Sequence, residues 1–191
     1  MCTRDAHRKR ELGVSLVELI LFILIVSVGI VGILGVLNLT AARSSDPLIR
    51  KQVLAIAESL LEEIELMPFT ICDPTDANAA TATSTAGCAT LVENLGPETT
   101  ALGLQSRYST TNPFNNVNDY HGFSMAGIRD LSNTLIPGLG AYSASVSISN
   151  GGLGIANSAE VLLIAVTVTG PGNESATLHG YRTRYAPNSL P

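Results

Sequence analysis

From Leu19 to Leu39 the chain carries no charged residue, and most of these positions are Leu, Ile or Val. As a helix this run is about 30 Å long, which matches the hydrocarbon core of a bilayer. With 191 residues in all, the chain has room for this anchor and one modest domain, but not for two full domains. The preceding segment, MCTRDAHRKRELG, sets Arg4, Arg8, Lys9 and Arg10 against Asp5 and Glu11. A basic flank stays on the cytoplasmic side, so everything after Thr40 is expected outside. A secretory signal peptide has an apolar core of about 7–15 residues followed by a small-residue cleavage site. Here the core is longer, and Gly13 precedes it. Length and charge fit a plain signal anchor equally well.

Glu18 adds a further constraint. A carboxylate in a membrane helix costs about 2.5–3.5 kcal/mol at the bilayer centre and less near the interface. Either Glu18 sits shallowly enough to reach headgroups, or it has a function. Gly13, Val14, Ser15, Leu16, Val17 and Glu18 occur in that order after a basic leader and before a long apolar run. This pattern resembles the type IV prepilin family, whose signature is a leader ending in Gly, a hydrophobic residue, a small hydroxyl residue, two aliphatics and Glu. The likeness covers about the first fifth of the chain. Val14 stands where the family usually has Phe or Met, and the leader is longer than in the commonest pilins. Both departures suggest a minor subunit over a major one.

The resemblance implies cleavage between Gly13 and Val14 by a membrane prepilin peptidase/methyltransferase, followed by N-methylation of Val14. It also implies that Glu18 faces the Val14 ammonium of a neighbouring subunit. Each charge is costly alone in an apolar bundle, and pairing offsets much of that cost while setting axial register. The partners implied are other pilin subunits through the N-terminal helix and an inner-membrane assembly platform. The location implied is the bacterial inner membrane, single-pass with a periplasmic head, and then a pilus or pseudopilus.

Gly29, Gly32 and Gly35 lie near one face of the apolar helix, where small residues let membrane helices approach closely. They also weaken a helix by about 1 kcal/mol each relative to Ala, so the helix is able to bend or melt here. After SSDP (44–47), whose Asp46 and Pro47 suit a helix start, Ile49, Val53, Ile56, Leu60 and Ile64 fall at helical spacing up to Pro68. Glu58, Glu62, Glu63 and Glu65 read as the solvated face of that helix. If continuous from Val14, the spine is about 80 Å long.

Four segments follow: a cytoplasmic leader at 1–13, a transmembrane or filament-core helix at 14–39, an amphipathic helix at 40–67, and an extracytoplasmic head at 68–191. Removal of the leader takes Cys2 with it and leaves Cys72 and Cys88. Outside the cell membrane these two read as one disulfide worth about 3 kcal/mol; in a reducing compartment they are two thiols. Residues 94–140, including NPFNNVNDYHGF (112–123), read as loop with short pieces of helix or strand. Segments 141–149, 160–169 and 176–185 read as strands, with GPGN (170–173) turning between the last two. The sheet needs a cover, which the amphipathic helix supplies, giving an α+β, pilin-like fold.

RKQVLAIAESLLEEIELMPFTICDP within 48–74 and NDYHGF (118–123) are also similar to the D-type minor pilins of mannose-sensitive haemagglutinin (MSHA) pili. The same N-terminal chemistry serves pseudopilins of type II secretion systems. A signal-anchored periplasmic binding protein is the alternative from another class. The net charge of −5, with no basic cluster beyond the leader, argues against nucleic acid as a partner. His7, His121 and His179 are isolated, no Cys/His cluster has zinc spacing, and no phosphate-binding glycine loop or GxSxG elbow occurs. No enzyme activity, cofactor or metal ligand is therefore expected. Asp119 and His121 share a loop able to hold a ligand or ion, though a purely structural loop is the simpler reading.

Overall fold

The computed structural model describes residues 15–44, 46–155 and 157–188, so the leader, Gly13 and Val14 lie outside the described residues. The chain divides into two units at Ser45, each of which is described by itself.

In the first unit, α1 (Leu16–Ser44) is helical throughout. Gly29, Gly32 and Gly35 lie inside it with nothing within 4 Å of a Cβ built on any of them. The glycines therefore do not interrupt the helix.

The second unit begins with α2 (Asp46–Glu65), with Pro47 in its first turn, where a missing N–H costs nothing. The expected stripe is the buried face: Val53, Ala57, Leu60 and Ile64 are in the core, and Ile49 and Ile56 pack at its margin. Two short strands, β1 (Thr99–Thr100) and β2 (Gly103–Leu104), pair as a small ribbon. The main sheet consists of β3 (Ser124–Ala126), β4 (Ser143–Asn150), β5 (Val161–Thr169) and β6 (Ser175–Thr183), antiparallel in the order β3-β4-β5-β6. The three strands expected near the C-terminus are all present, and β3 adds an edge strand within the stretch read as loop.

Register follows the alternation of side chains. Val146, Val166 and Leu178 lie side by side across β4, β5 and β6. Ala144, Val146 and Ile148 point inward while Ser143, Ser145 and Ser147 are exposed. β5 buries Leu162, Ile164, Val166 and Val168 on the same face; on its other face Val161 is buried and Leu163, Ala165 and Thr167 are half-buried. α2 lies across β5 and β6 and closes this apolar face. Gly180 in β6 faces this helix, and a Cβ there would meet the ends of the Glu65 and Leu61 side chains. The GPGN turn is present, with Gly172 at φ 71° and the Gly170 N–H donating to the Glu174 carbonyl at 2.8 Å. The result is an α+β unit with one helix on one face of an antiparallel sheet.

Candidate functional site

The first candidate is the surface of α1. From Leu16 to Leu37 every residue is exposed and the mean hydropathy is 3.1, so the helix is long and apolar enough to cross a membrane. Ser27 turns its hydroxyl back to the Ile23 carbonyl at 2.6 Å, so it presents no unpaired donor. Glu18 is the acidic residue of the first turn, where the helix dipole favours negative charge. An exposed apolar surface of this extent marks a face for contact with a membrane or another protein. The cleavage pair Gly13 and Val14 falls outside the described residues.

Cys72 and Cys88 form a disulfide with Cα atoms 5.6 Å apart, the pairing expected of them once Cys2 is set aside. The loop between them is organised by Asp76. Its carboxylate accepts the backbone N–H groups of Asn78 and Ala89 at 2.9 Å, Thr90 at 2.7 Å and Leu91 at 2.8 Å. The bonds from Leu91 and Ala89 do most to hold this carboxyl well below the usual carboxylate range, outweighing its desolvation. A second device joins α2 to the loops. Glu63 receives Arg107 Nε and Nη2 at 2.7 Å each, and the Tyr120 hydroxyl donates to Glu63 Oε1 at 2.8 Å. Glu63 thus departs from the solvated face expected for it, because the loops around Arg107 and Tyr120 fold over that side of α2. Glu58 and Glu62 are exposed as expected.

Between these two devices lies a group of buried acids. Asp73 follows α2, Glu93 and Glu98 flank a turn beyond the disulfide, and Asp119 sits in the 3-10 turn Asn118–Tyr120. Asp73 and Asp119 are fully buried, Glu93 is 7% exposed and Glu98 is 8% exposed. Some of their oxygens are well served. Asp73 Oδ2 accepts Gln105 Nε2 at 2.8 Å, Glu98 Oε1 accepts the Asn94 N–H at 2.8 Å, and Asp119 Oδ2 accepts the Asn115 and Asn116 N–H groups at 2.7 and 2.9 Å. Others are not: both carboxylate oxygens of Glu93, Glu98 Oε2 and Asp119 Oδ1 are buried and meet no donor among the described residues.

Burial, reinforced by Asp119, Glu98 and Asp73 nearby, pushes the Glu93 carboxyl up to about 10. Arg184 opposes this to a lesser degree, being already paired with Glu160 at 3.5 Å and stacked on Phe69. Burial also raises Glu98 and Asp119, which lie close enough to share a proton. His121 is not part of this group; its Nδ1 accepts the Ile148 N–H at 3.1 Å. Of the loop pair singled out from sequence, only Asp119 belongs to an unusual site.

No protein-family profile matches the chain, and comparisons with curated proteins and with solved structures find no match.

Proposed function

We propose that the chain is a subunit of the type IV pilin class: a membrane-stored precursor that enters a filament through its N-terminal helix. The observation that carries this reading is Glu18, a single carboxylate in the first turn of an otherwise uncharged, exposed apolar helix, directly after the Gly13–Val17 motif. The α+β head with one helix on an antiparallel sheet, and its disulfide, fit the same class. Within that class the reading is a minor pilin of the D-type in MSHA-like pili, on the strength of the Leu48–Asp73 and NDYHGF stretches.

In this reading a prepilin peptidase/methyltransferase cuts between Gly13 and Val14. The subunit then waits in the inner membrane with its head in the periplasm. An assembly platform lifts it into contact with other pilin subunits, where Glu18 neutralises the methylated Val14 ammonium of a neighbour. Its role is structural and not catalytic.

Intact-mass analysis of membrane-extracted protein tests the first step. A chain starting at methyl-Val14 is expected, and an N-terminus at Met1 overturns the proposal in favour of a signal-anchored protein. Glu18→Ala tests the second. Cleavage at Gly13 is expected to persist while recovery of the subunit in sheared filaments falls at least tenfold; undiminished incorporation refutes the charge-pair role.

A further inference from the structure

The buried acids have a geometry that suggests a ligand. One carboxylate oxygen from each of Asp73, Glu93 and Glu98 lies within 4.8 Å of the other two. Two oxygens on opposite sides of a calcium ion at about 2.4 Å stand about 4.8 Å apart. Three oxygens no farther apart than this have a common point within about 2.8 Å of each, so a small turn of the side chains brings all three to calcium distance. Asp119 stands against Glu98, with which it shares a proton, and an ion that displaces that proton gains the Asp119 oxygen as a further ligand.

We propose that Asp73, Glu93, Glu98 and Asp119 bind one divalent hard cation, and that this ion is calcium. A buried oxygen with no donor is costly, and four such oxygens on three neighbouring carboxylates form a concentrated defect unless something positive faces them. The donor set is all oxygen and contains neither sulfur nor imidazole, which selects a hard ion over zinc or copper. Magnesium demands near-octahedral geometry at about 2.0–2.1 Å and keeps several of its waters, for which a site lined by residues at most 8% exposed has little room. Calcium accepts irregular sets of six to eight oxygens and mixes one- and two-oxygen carboxylate contacts. A divalent ion offsets two of the four negative charges that these carboxylates carry once their protons are displaced.

The ligands also come from separate loops. Asp73 adjoins the disulfide at Cys72, Glu93 and Glu98 flank the next turn, and Asp119 belongs to the turn packed beneath α2 through Tyr120. An ion here ties together the irregular half of the head, where few regular backbone ladders do so.

The experiment uses the full chain in detergent, stripped with a chelator and then dialysed against calcium at about 1 mM, the range in which extracytoplasmic calcium modules bind. Wild type is expected to retain one calcium per chain by elemental analysis and to show a saturable rise in Tm that the chelator reverses. Glu93→Gln and Glu98→Gln are expected to weaken calcium binding at least tenfold and to lose the calcium-dependent rise. In chelator both variants should melt near the wild-type temperature, because Gln keeps the shape of a side chain whose charge burial already disfavours. Wild type that holds no calcium and melts identically with calcium or chelator overturns the site, leaving protons shared among the carboxyls. Retention of the full calcium response by both variants overturns the ligand assignment. An equal response to magnesium overturns the choice of ion.

Discussion

Glu63→Gln probes how the irregular loops are fastened to α2. The substitution keeps the shape of the side chain, removes its charge, and turns one acceptor into a donor facing the Arg107 fork. Arg107's side chain is 6% exposed, so water cannot replace the lost oxygen. Its remaining contacts are one hydrogen bond to the Arg129 carbonyl at 3.1 Å and the rings of Tyr108 and Phe123 at 5.4 and 5.6 Å. Removing one partner of a buried ion pair costs about 3–5 kcal/mol. Glu63 is itself 24% exposed, which places the expected loss at the lower end, about 3 kcal/mol. For a domain of this size that corresponds to a drop in Tm of about 6–12 °C. The chain contains no Trp, so unfolding is best followed by near-ultraviolet circular dichroism of its tyrosines. Arg107→Met and the double variant complete a cycle with an expected coupling of about 2 kcal/mol. A Glu63→Gln protein within about 0.5 kcal/mol of wild type, or a coupling near zero, refutes the view that this pair fastens the loops.

Gly180→Ala should destabilise the head by at most about 1 kcal/mol in urea titrations, because the Glu65 and Leu61 side chains of α2 can turn aside from the new methyl; adding Glu65→Ala should recover most of any loss. Replacing Cys72 and Cys88 together by Ala should cost about 3 kcal/mol by the same measurement, the loss of loop-closure entropy for a loop of this length. Asp76 makes a pH-dependent contribution whose sign is fixed by its depressed carboxyl: it is fully present above the unfolded value near 3.8 and is lost as pH falls below that towards the folded value. Tm measured from neutral pH downward should therefore fall less steeply below that value in Asp76→Asn than in wild type, and parallel curves would remove Asp76 from the acid response.

Regular elements were legible because their signals are local. The spacing of Val53, Leu60 and Ile64 marks the buried face of α2, and the alternation around Val146 marks β4, whatever the rest of the chain does. Gly170–Asn173 announces its turn in the same way. Residues 70–123 gave no such signal, since their structure comes from pairs far apart in sequence: Asp76 with Leu91, Asp73 with Gln105, Glu63 with Arg107. The same contrast divides the candidate sites. Glu18 stands out because it is a charge beside an uncharged run. The acids at 73, 93, 98 and 119 each look like ordinary loop residues, and only folding brings them together.

The placement of α2 across β5 and β6 also bears on the order in which the head folds. β4, β5 and β6 are joined in succession, so their pairing closes over short connections and proceeds quickly. The helix that covers them lies far upstream and is synthesised first. In a chain made from its N-terminus, Val53, Leu60 and Ile64 emerge long before the surface they belong on. Their shelter is complete only after residue 183 has followed, since β6 ends there. The head is thus translated as an exposed amphipathic helix with a delayed partner, and that interval is when the chain is most vulnerable to aggregation and proteolysis.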